Sequence, residues 1–212
     1  MTTLFLVRHG RTGWNKEQIF RGHKDIPLDE VGRTEARLVG ERLMDERIKA
    51  VYSSPLSRAE ETAQAIAQFH NLEVQNLEGL KDLNFGEWEG VSLKEVKKQY
   101  LDIYQEWLQA PHKVIFPGGE GLAAVTSRAM NAVEKIIQQH PQEAVALVSH
   151  RVVLKVLICA LLGLDNSHFW NIAQDTTALN SFHHRNGTWI CNFLNDTRHL
   201  QGVEEERGKV DF

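Results

Sequence analysis

The sequence is poor in cysteine, with only Cys159 and Cys191 in 212 residues, and each lies in an apolar stretch. These surroundings favour buried, inert thiols, and a chain of this length buries enough surface to fold without cross-links. No hydrophobic run approaches the length of a membrane span. The short apolar segment at the N-terminus lacks the basic lead-in of a signal peptide. We therefore expect a cytoplasmic protein that does not bind a membrane.

The sequence also lacks an excess of positive charge, since 24 Lys and Arg stand against 28 Asp and Glu, for a net charge of −4. This balance argues against nucleic acid as a partner. An anionic substrate must then be held by a local group of cations. The ten histidines show no metal-ligand spacing, so the sequence predicts neither a metal nor another cofactor.

With five prolines in all, the chain contains no linker and no repeat, and we expect one domain over residues 1–212. Short apolar runs alternate with helical periodicity, which predicts an α/β fold. Strands are predicted at 3–7, 50–53, 144–148, 177–184 and 188–194, and helices at about 29–47, from 57 onward, at about 121–140 and at about 150–162. Ser57 and Glu60 form a capping-box pattern, and Asn186-Gly187 predicts a hairpin turn. The segment at about 80–117 is irregular, with two short helices, and could form a lid.

Cationic and imidazole side chains follow three of these predicted strands. The strand at 3–7 continues into Arg8-His9, the strand at 50–53 is followed by Arg58 at a helix start, and the strand at 144–148 runs into Ser149-His150-Arg151. Ligands of open α/β sheets bind outside the carboxyl ends of the strands, and helix N-termini favour anions. The pattern therefore predicts a phosphate site.

The same positive field suits a histidine nucleophile. Neighbouring cations disfavour protonation of an imidazole, so His9 would keep a free lone pair. Guanidinium groups can hold the phosphoryl oxygens through the transition state. Covalent catalysis would split hydrolysis into phosphorylation of His9 and attack by water. The leaving oxygen needs a proton, so the site also needs a carboxylic acid.

Several motifs, in order along nearly the whole chain, resemble those of the histidine phosphatase (phosphoglycerate mutase-like) superfamily. They are Leu6-Val7-Arg8-His9-Gly10-Arg11-Thr12-Gly13-Trp14-Asn15, Gly22-His23-Lys24-Asp25-Ile26-Pro27-Leu28, Tyr52-Ser53-Ser54-Pro55-Leu56-Ser57-Arg58-Ala59, Phe85-Gly86-Glu87-Trp88-Glu89-Gly90, Pro117-Gly118-Gly119-Glu120 and Val148-Ser149-His150. The resemblance implies a three-layer α/β/α sandwich with a mostly parallel sheet.

The resemblance also implies roles for individual residues. His9 would be phosphorylated, Arg8 and Arg58 would clamp the phosphate, and His150 would be the second imidazole of the pocket. Asp82, in Leu80-Lys81-Asp82, stands where the family usually has the glutamate that acts as acid. Asp is one methylene shorter, and Glu87 and Glu89 are alternatives. The candidate substrate-binding residues are Asn15, Arg21, Gly22, His23 and Lys113, and the loop cations, with Lys24, could hold a carboxylate.

The substrate is expected to be a small phosphorylated metabolite. Mutases of this type carry Arg-His-Tyr-Gly where this chain has Leu83-Asn84-Phe85-Gly86, which weakens a second anionic subsite and favours a phosphatase. Pro111-His112-Lys113-Val114 and the following Phe116-Pro117-Gly118-Gly119-Glu120 are similar to metal-independent phosphoserine phosphatases. Phosphoglycerate mutase, α-ribazole phosphatase, broad-specificity sugar-phosphate phosphatase and a non-catalytic phosphate-binding module stay open as alternatives, as does a homodimer.

Overall fold

The computed structural model describes residues 1–203, and a six-stranded sheet forms its centre. The strands are β1 (Thr2–Arg8), β2 (Ile48–Ser53), β3 (Val74–Asn76), β4 (Ala144–Ser149), β5 (Leu179–Arg185) and β6 (Thr188–Asp196), in the spatial order β3-β2-β4-β1-β5-β6. Strands β3, β2, β4 and β1 run parallel, and β5 and β6 add an antiparallel hairpin at one edge. The prediction of a mostly parallel α/β sheet is confirmed.

Seven α-helices lie in the described part of the chain. They are α1 (Gly13–Glu17), α2 (Glu30–Leu43), α3 (Ser57–Ala67), α4 (Leu93–Gln99), α5 (Leu101–Gln109), α6 (Leu122–Gln139) and α7 (Arg151–Leu161). Short 3-10 turns connect several of them, including Glu78–Leu80, Gly86–Trp88 and Pro111–Lys113. Within residues 1–203, no helix has the length and hydrophobicity that crossing a membrane requires. The cytoplasmic location stays a prediction.

Alternating side chains of the central strands place the helices in two layers. Leu4 and Leu6 of β1 belong to a core that also contains the apolar faces of α6 and α7, whereas Phe5 and Val7 belong to a second core with α2 and α3. Because successive strand residues face opposite sides of a sheet, each strand is buried on both faces. The result is the predicted α/β/α sandwich.

Some local predictions were wrong. The helix predicted to end at 47 ends at Leu43, and β2 begins two residues earlier than predicted, at Ile48. The short strand β3 was missed. The capping box was wrong: Leu56 is the N-cap of α3 without a side-chain cap, and the amide and hydroxyl of Ser57 both donate to Asp25 Oδ1, at 2.8 Å each. A carboxylate from a distant loop therefore satisfies the start of α3.

The turn and the middle segment follow the predicted pattern. Asn186 and Gly187 both have positive φ, at 50° and 77°, as a two-residue hairpin turn requires. The segment at about 80–117 contains α4 and α5, and its buried Phe116 packs edge-on against both Trp88 and Trp107. A lid function for this segment stays a prediction. The acidic run Glu204-Glu205-Glu206-Arg207 at the C-terminus, which reads as a solvated tail, lies outside the described residues.

Candidate active site

The site lies where the carboxyl ends of β1, β2 and β4 meet. The last residue of β1, Arg8, lies opposite Ser149 at the end of β4. The amide of His9 donates to the Ser149 carbonyl at 3.0 Å, and the amide of Ser54 donates to the Val148 carbonyl at 3.0 Å. Parallel pairing thus carries all three strand ends, and the residues that follow them, to one edge of the sheet.

A buried acid fixes the loop that follows His9. Glu35 of α2 is fully buried and accepts hydrogen bonds from the Arg11 amide at 2.8 Å and from the Thr176 hydroxyl at 2.7 Å. At Gly10 a Cβ would lie 2.5 Å from the carbonyl oxygen of Gly32, so only glycine fits there. The sequence analysis missed Glu35, because a single Glu on a helix gives no signal of a distant partner.

The backbone carbonyl of the next residue, Gly10, holds His9 in one tautomer. Its side chain is buried, and Nδ1 lies 2.7 Å from the Gly10 carbonyl oxygen. A carbonyl only accepts, so Nδ1 carries the proton and Nε2 keeps its lone pair. Burial, followed by the charges of Arg58, Arg8 and Arg21, holds the pKa of His9 well below its usual range. His9 is therefore a neutral imidazole whose Nε2 carries no proton.

His150 stands beside His9, with 5.1 Å between the ring centroids. Its Nε2 lies 2.7 Å from Ser54 Oγ, and its Nδ1 lies 3.6 Å from Asp82 Oδ2. Burial and the neighbouring Arg58 lower the pKa of His150 well below its ordinary value. Ser54 belongs to a quoted motif, but the sequence indicated no role for it.

Two arginines with fully buried side chains supply the positive charge. Arg8 donates from Nη1 to the Gln174 carbonyl at 2.7 Å. Arg58 donates to the carbonyls of Lys24 and Gly22, at 2.9 Å and 2.8 Å, and to Asp82 Oδ2 at 3.2 Å. Burial lowers the pKa of Arg58 and the nearby carboxylate opposes that shift, but a guanidinium stays charged.

Asp82 is the carboxylate that the structure places beside both Arg58 and His150. It is 5% exposed, and its Oδ1 accepts a hydrogen bond from the Leu83 amide at 2.9 Å. The two alternative acids have other partners. Glu87 is exposed and accepts a hydrogen bond from the Tyr100 hydroxyl, while Glu89 accepts one from the His23 amide at 2.8 Å. This geometry favours Asp82 among the three candidates.

The predicted substrate-side residues occupy different places. Arg21 and Asp82 line a small cavity. Gly22 has φ +52° and gives its carbonyl to Arg58, and His23 contacts the Asp82 carbonyl through Nε2 at 2.9 Å. Asn15 is buried at the start of α1, where its Oδ1 accepts hydrogen bonds from the amide and hydroxyl of Thr12 at 2.9 Å each. Lys24 and Lys113 are both exposed. Among residues 1–203, neither of them lines this cavity.

A match to a family described as the histidine phosphatase superfamily, branch 1, covers residues 4–197. The chain belongs to this superfamily. Phosphoserine phosphatase 1 of Hydrogenobacter thermophilus is 36% identical over 200 residues, which cover 94% of this chain and 95% of that protein. The metal-independent phosphoserine phosphatase of Arabidopsis thaliana is 32% identical and covers 96% of this chain and 85% of that protein. These findings confirm the family that the motifs indicated.

A solved structure shows the same fold. A mutant of the phosphoserine phosphatase of Entamoeba histolytica, in complex with phosphoserine, matches with a TM-score of 0.85 and 29% identity, over 94% of this chain and all of that chain. Other similar proteins are described as phosphoglycerate mutases and α-ribazole phosphatases. Membership of the superfamily therefore does not identify the substrate, and the residues that line the cavity are the further evidence on it.

In this histidine phosphatase one wall of the cavity contains a cation, Arg151, to which the sequence analysis gave no role. Arg151, the first residue of α7, lines it and stacks over Trp170, with Cζ 5.6 Å from the ring centroid. Next to it, the buried Lys155 places Nζ 4.7 Å from the Phe169 centroid and 4.6 Å from that of Trp170. Cation–π contacts of this kind hold a cation in place beside apolar surface. The cavity therefore combines two arginines with aromatic walls.

The residues described here form no group of three or more His, Cys, Asp or Glu side chains that could hold a metal ion. The positive charge next to His9 comes from Arg8, Arg21 and Arg58. Such an array can stabilise the charge of a phosphoryl group as it transfers.

Proposed function

We propose that this protein is a metal-independent phosphatase that hydrolyses small, carboxylate-bearing phosphomonoesters through a phosphohistidine on His9, with phosphoserine as the leading candidate substrate. The observation that carries the proposal is the state of His9. Burial and the charges of Arg58 and Arg8 hold its pKa well below the usual range, and its Nδ1 proton is engaged by the Gly10 carbonyl, which leaves Nε2 unprotonated.

In the first step, the Nε2 lone pair attacks phosphorus and the bond from phosphorus to the ester oxygen breaks. Arg8 and Arg58 hold the remaining phosphoryl oxygens, and His150 donates to one of them as charge develops. The ester oxygen leaves with a proton from Asp82. The products of this step are phosphorylated His9, the free alcohol and ionised Asp82.

In the second step, Asp82 takes a proton from water while the water oxygen attacks phosphorus. The bond from phosphorus to Nε2 breaks, which returns neutral His9 and releases inorganic phosphate. Before substrate binds, Arg58 pairs with Asp82. An incoming phosphate dianion gives that guanidinium a second anionic partner.

The cavity next to Asp82 receives the leaving group. Arg21 and Arg151 both line it, and an alcohol that carries a carboxylate would bind there by charge-assisted hydrogen bonds. The relatives that are phosphoserine phosphatases support this substrate class. Arg151 thereby takes the role that the sequence analysis gave to Lys113, whose side chain is exposed.

The test compares kcat/KM for phosphoserine and phosphoethanolamine, which differ only in the carboxylate. Each charge-assisted hydrogen bond contributes about 1.5–3 kcal/mol, so we expect a preference of tenfold or more for phosphoserine. Arg151→Ala should remove most of this preference, whereas Arg33→Ala, at an exposed ion pair with Glu61, should keep it. Indifference of the native enzyme to the carboxylate would overturn the substrate class and favour a broad-specificity or α-ribazole phosphatase.

A further inference from the structure

Backbone carbonyls make most of the contacts that the loop carrying Asp82 forms with distant parts of the chain. Between residues 79 and 84, five of these carbonyls accept hydrogen bonds from elsewhere in the chain, those of Gly79, Leu80, Lys81, Asp82 and Asn84. The Leu80 carbonyl accepts from the Ser149 hydroxyl at 2.7 Å. The other contacts depend mainly on Arg128 and Glu120.

Arg128 of α6 reaches three of these carbonyls with one guanidinium. Its Nη1 donates to Gly79 at 2.9 Å and to Lys81 at 2.5 Å, and its Nη2 donates to Asp82 at 2.8 Å. A guanidinium is planar and presents its donors in a fixed fork. Three carbonyls bound to it cannot move independently of one another or of α6.

Glu120 contacts both the guanidinium of Arg128 and the backbone of Asn84. Its Oε1 accepts from Arg128 Nη2 at 2.8 Å and from the Asn84 amide at 3.0 Å, and its own amide donates to the Asn84 carbonyl at 3.0 Å. Its Oε2 lies 3.3 Å from Arg128 Nε. The carboxylate thus orients the guanidinium and fixes the far end of the loop at the same time.

We propose that Arg128, oriented by Glu120, is a positioning residue that holds the Asp82 carboxyl in reach of the leaving oxygen. This inference rests on the proposed role of Asp82 as acid. Because Asp is one methylene shorter than the Glu usual in the family, its carboxyl tolerates less displacement of its backbone. General-acid catalysis contributes roughly 10²–10⁴-fold, and small misplacements forfeit much of such a gain.

Two substrates with different leaving groups separate a role in positioning Asp82 from a general contribution to the fold. For Arg128→Ala we expect kcat/KM on phosphoserine, which reports the steps up to departure of the alcohol, to fall roughly tenfold or more. The value of kcat/KM on p-nitrophenyl phosphate should change far less, because p-nitrophenolate leaves without a proton. Arg128→Lys, which keeps the charge but not the fork, should recover only part of the loss. Arg33→Ala is the control for removal of an exposed arginine.

The double variant Arg128→Ala/Asp82→Asn identifies which proposal fails. If Arg128 acts through Asp82, Arg128→Ala adds no loss on phosphoserine in the Asp82→Asn background. Equal losses on both substrates, or additive losses in the double variant, would overturn the positioning role. If Asp82→Asn alone affects both substrates equally, the acid assignment fails instead. Should Arg128→Ala not fold, Glu120→Gln carries the same comparison, and a loss independent of the leaving group would overturn the inference.

Discussion

The two active-site imidazoles should make the stability of the protein fall steeply in mild acid. His9 and His150 are buried, and burial together with Arg58 lowers the pKa of both well below 6.5. In the unfolded chain each takes a proton at about pH 6.5. Below that pH the unfolded state therefore binds protons that the native state does not, and unfolding is favoured.

If the native imidazoles stay neutral, the size of this loss in the free energy of unfolding depends only on the histidine pKa in the unfolded chain. Between pH 7 and pH 5.5, each buried histidine lowers the free energy of unfolding by about 1.3 kcal/mol, and the pair by roughly 2.5 kcal/mol. The stability that the pair contributes is complete above about pH 6.5 and is lost as the pH falls toward the native pKa values. Burial also lowers the pKa of His70. His70 therefore adds a pH-dependent loss of stability that is the same in the native protein and in the variants below.

The assay is urea denaturation at half-unit steps from pH 7 to pH 5.5, with phosphate-free buffers. His9→Asn and His150→Asn should each remove about 1.3 kcal/mol of the pH-dependent loss, whatever they do to stability at pH 7. His112→Ala, at an exposed position, is the matched control and should keep the native slope. If neither active-site variant flattened the slope, the imidazoles would already be charged in the native state, and the argument for a neutral nucleophile would be refuted.

Three further outcomes follow from the site. Asp82→Asn should lower kcat/KM on phosphoserine by about 10²-fold or more but affect kcat/KM on p-nitrophenyl phosphate little, and equal effects on both would move the acid role to Glu87 or Glu89. Gly22→Ala should destabilise the fold by more than the roughly 1–3 kcal/mol of backbone strain and lower activity, because its Cβ would lie 2.1 Å from Glu89 Oε1 and would displace that oxygen from the His23 amide. Gly187→Ala, with a positive φ and open space around it, measures the strain alone, and similar losses in both variants would contradict the predicted clash. Exhaustive dialysis against EDTA should leave kcat unchanged, and a loss restored only by divalent ions would show that the arginines do not suffice.

Those parts of the fold that depend on periodicity were predictable. The apolar runs of β1, β2 and β4 and the three- and four-residue spacing of α6 indicated their elements to within one or two residues. The convergence of Arg8, His9 and His150 followed from the rule that parallel strands deliver their carboxyl ends to one edge. These signals are local in sequence, or depend on one general rule of sheet geometry.

The contacts that shape the site could not be predicted in the same way. Arg128 is separated by more than forty residues from the carbonyls it binds, and a helix-surface arginine looks the same whether it meets water or a loop. Arg151 was quoted beside His150, but only the packing of Trp170 under it shows that it lines the cavity. The start of α3 was mispredicted for the same reason, because Asp25, rather than Glu60, satisfies Ser57. Polar contacts between residues far apart in the chain produce no periodic pattern in the sequence.

The central claim is that His9 becomes phosphorylated, and the most direct measurement is to trap that intermediate. The enzyme is mixed briefly with ³²P-labelled phosphoserine, quenched in alkaline detergent, and the labelled protein is digested and mapped. The account predicts an acid-labile, base-stable phosphoryl group on the peptide that contains His9, and none in a folded His9→Ala variant. A label on another residue, or substantial turnover by His9→Ala, would contradict it.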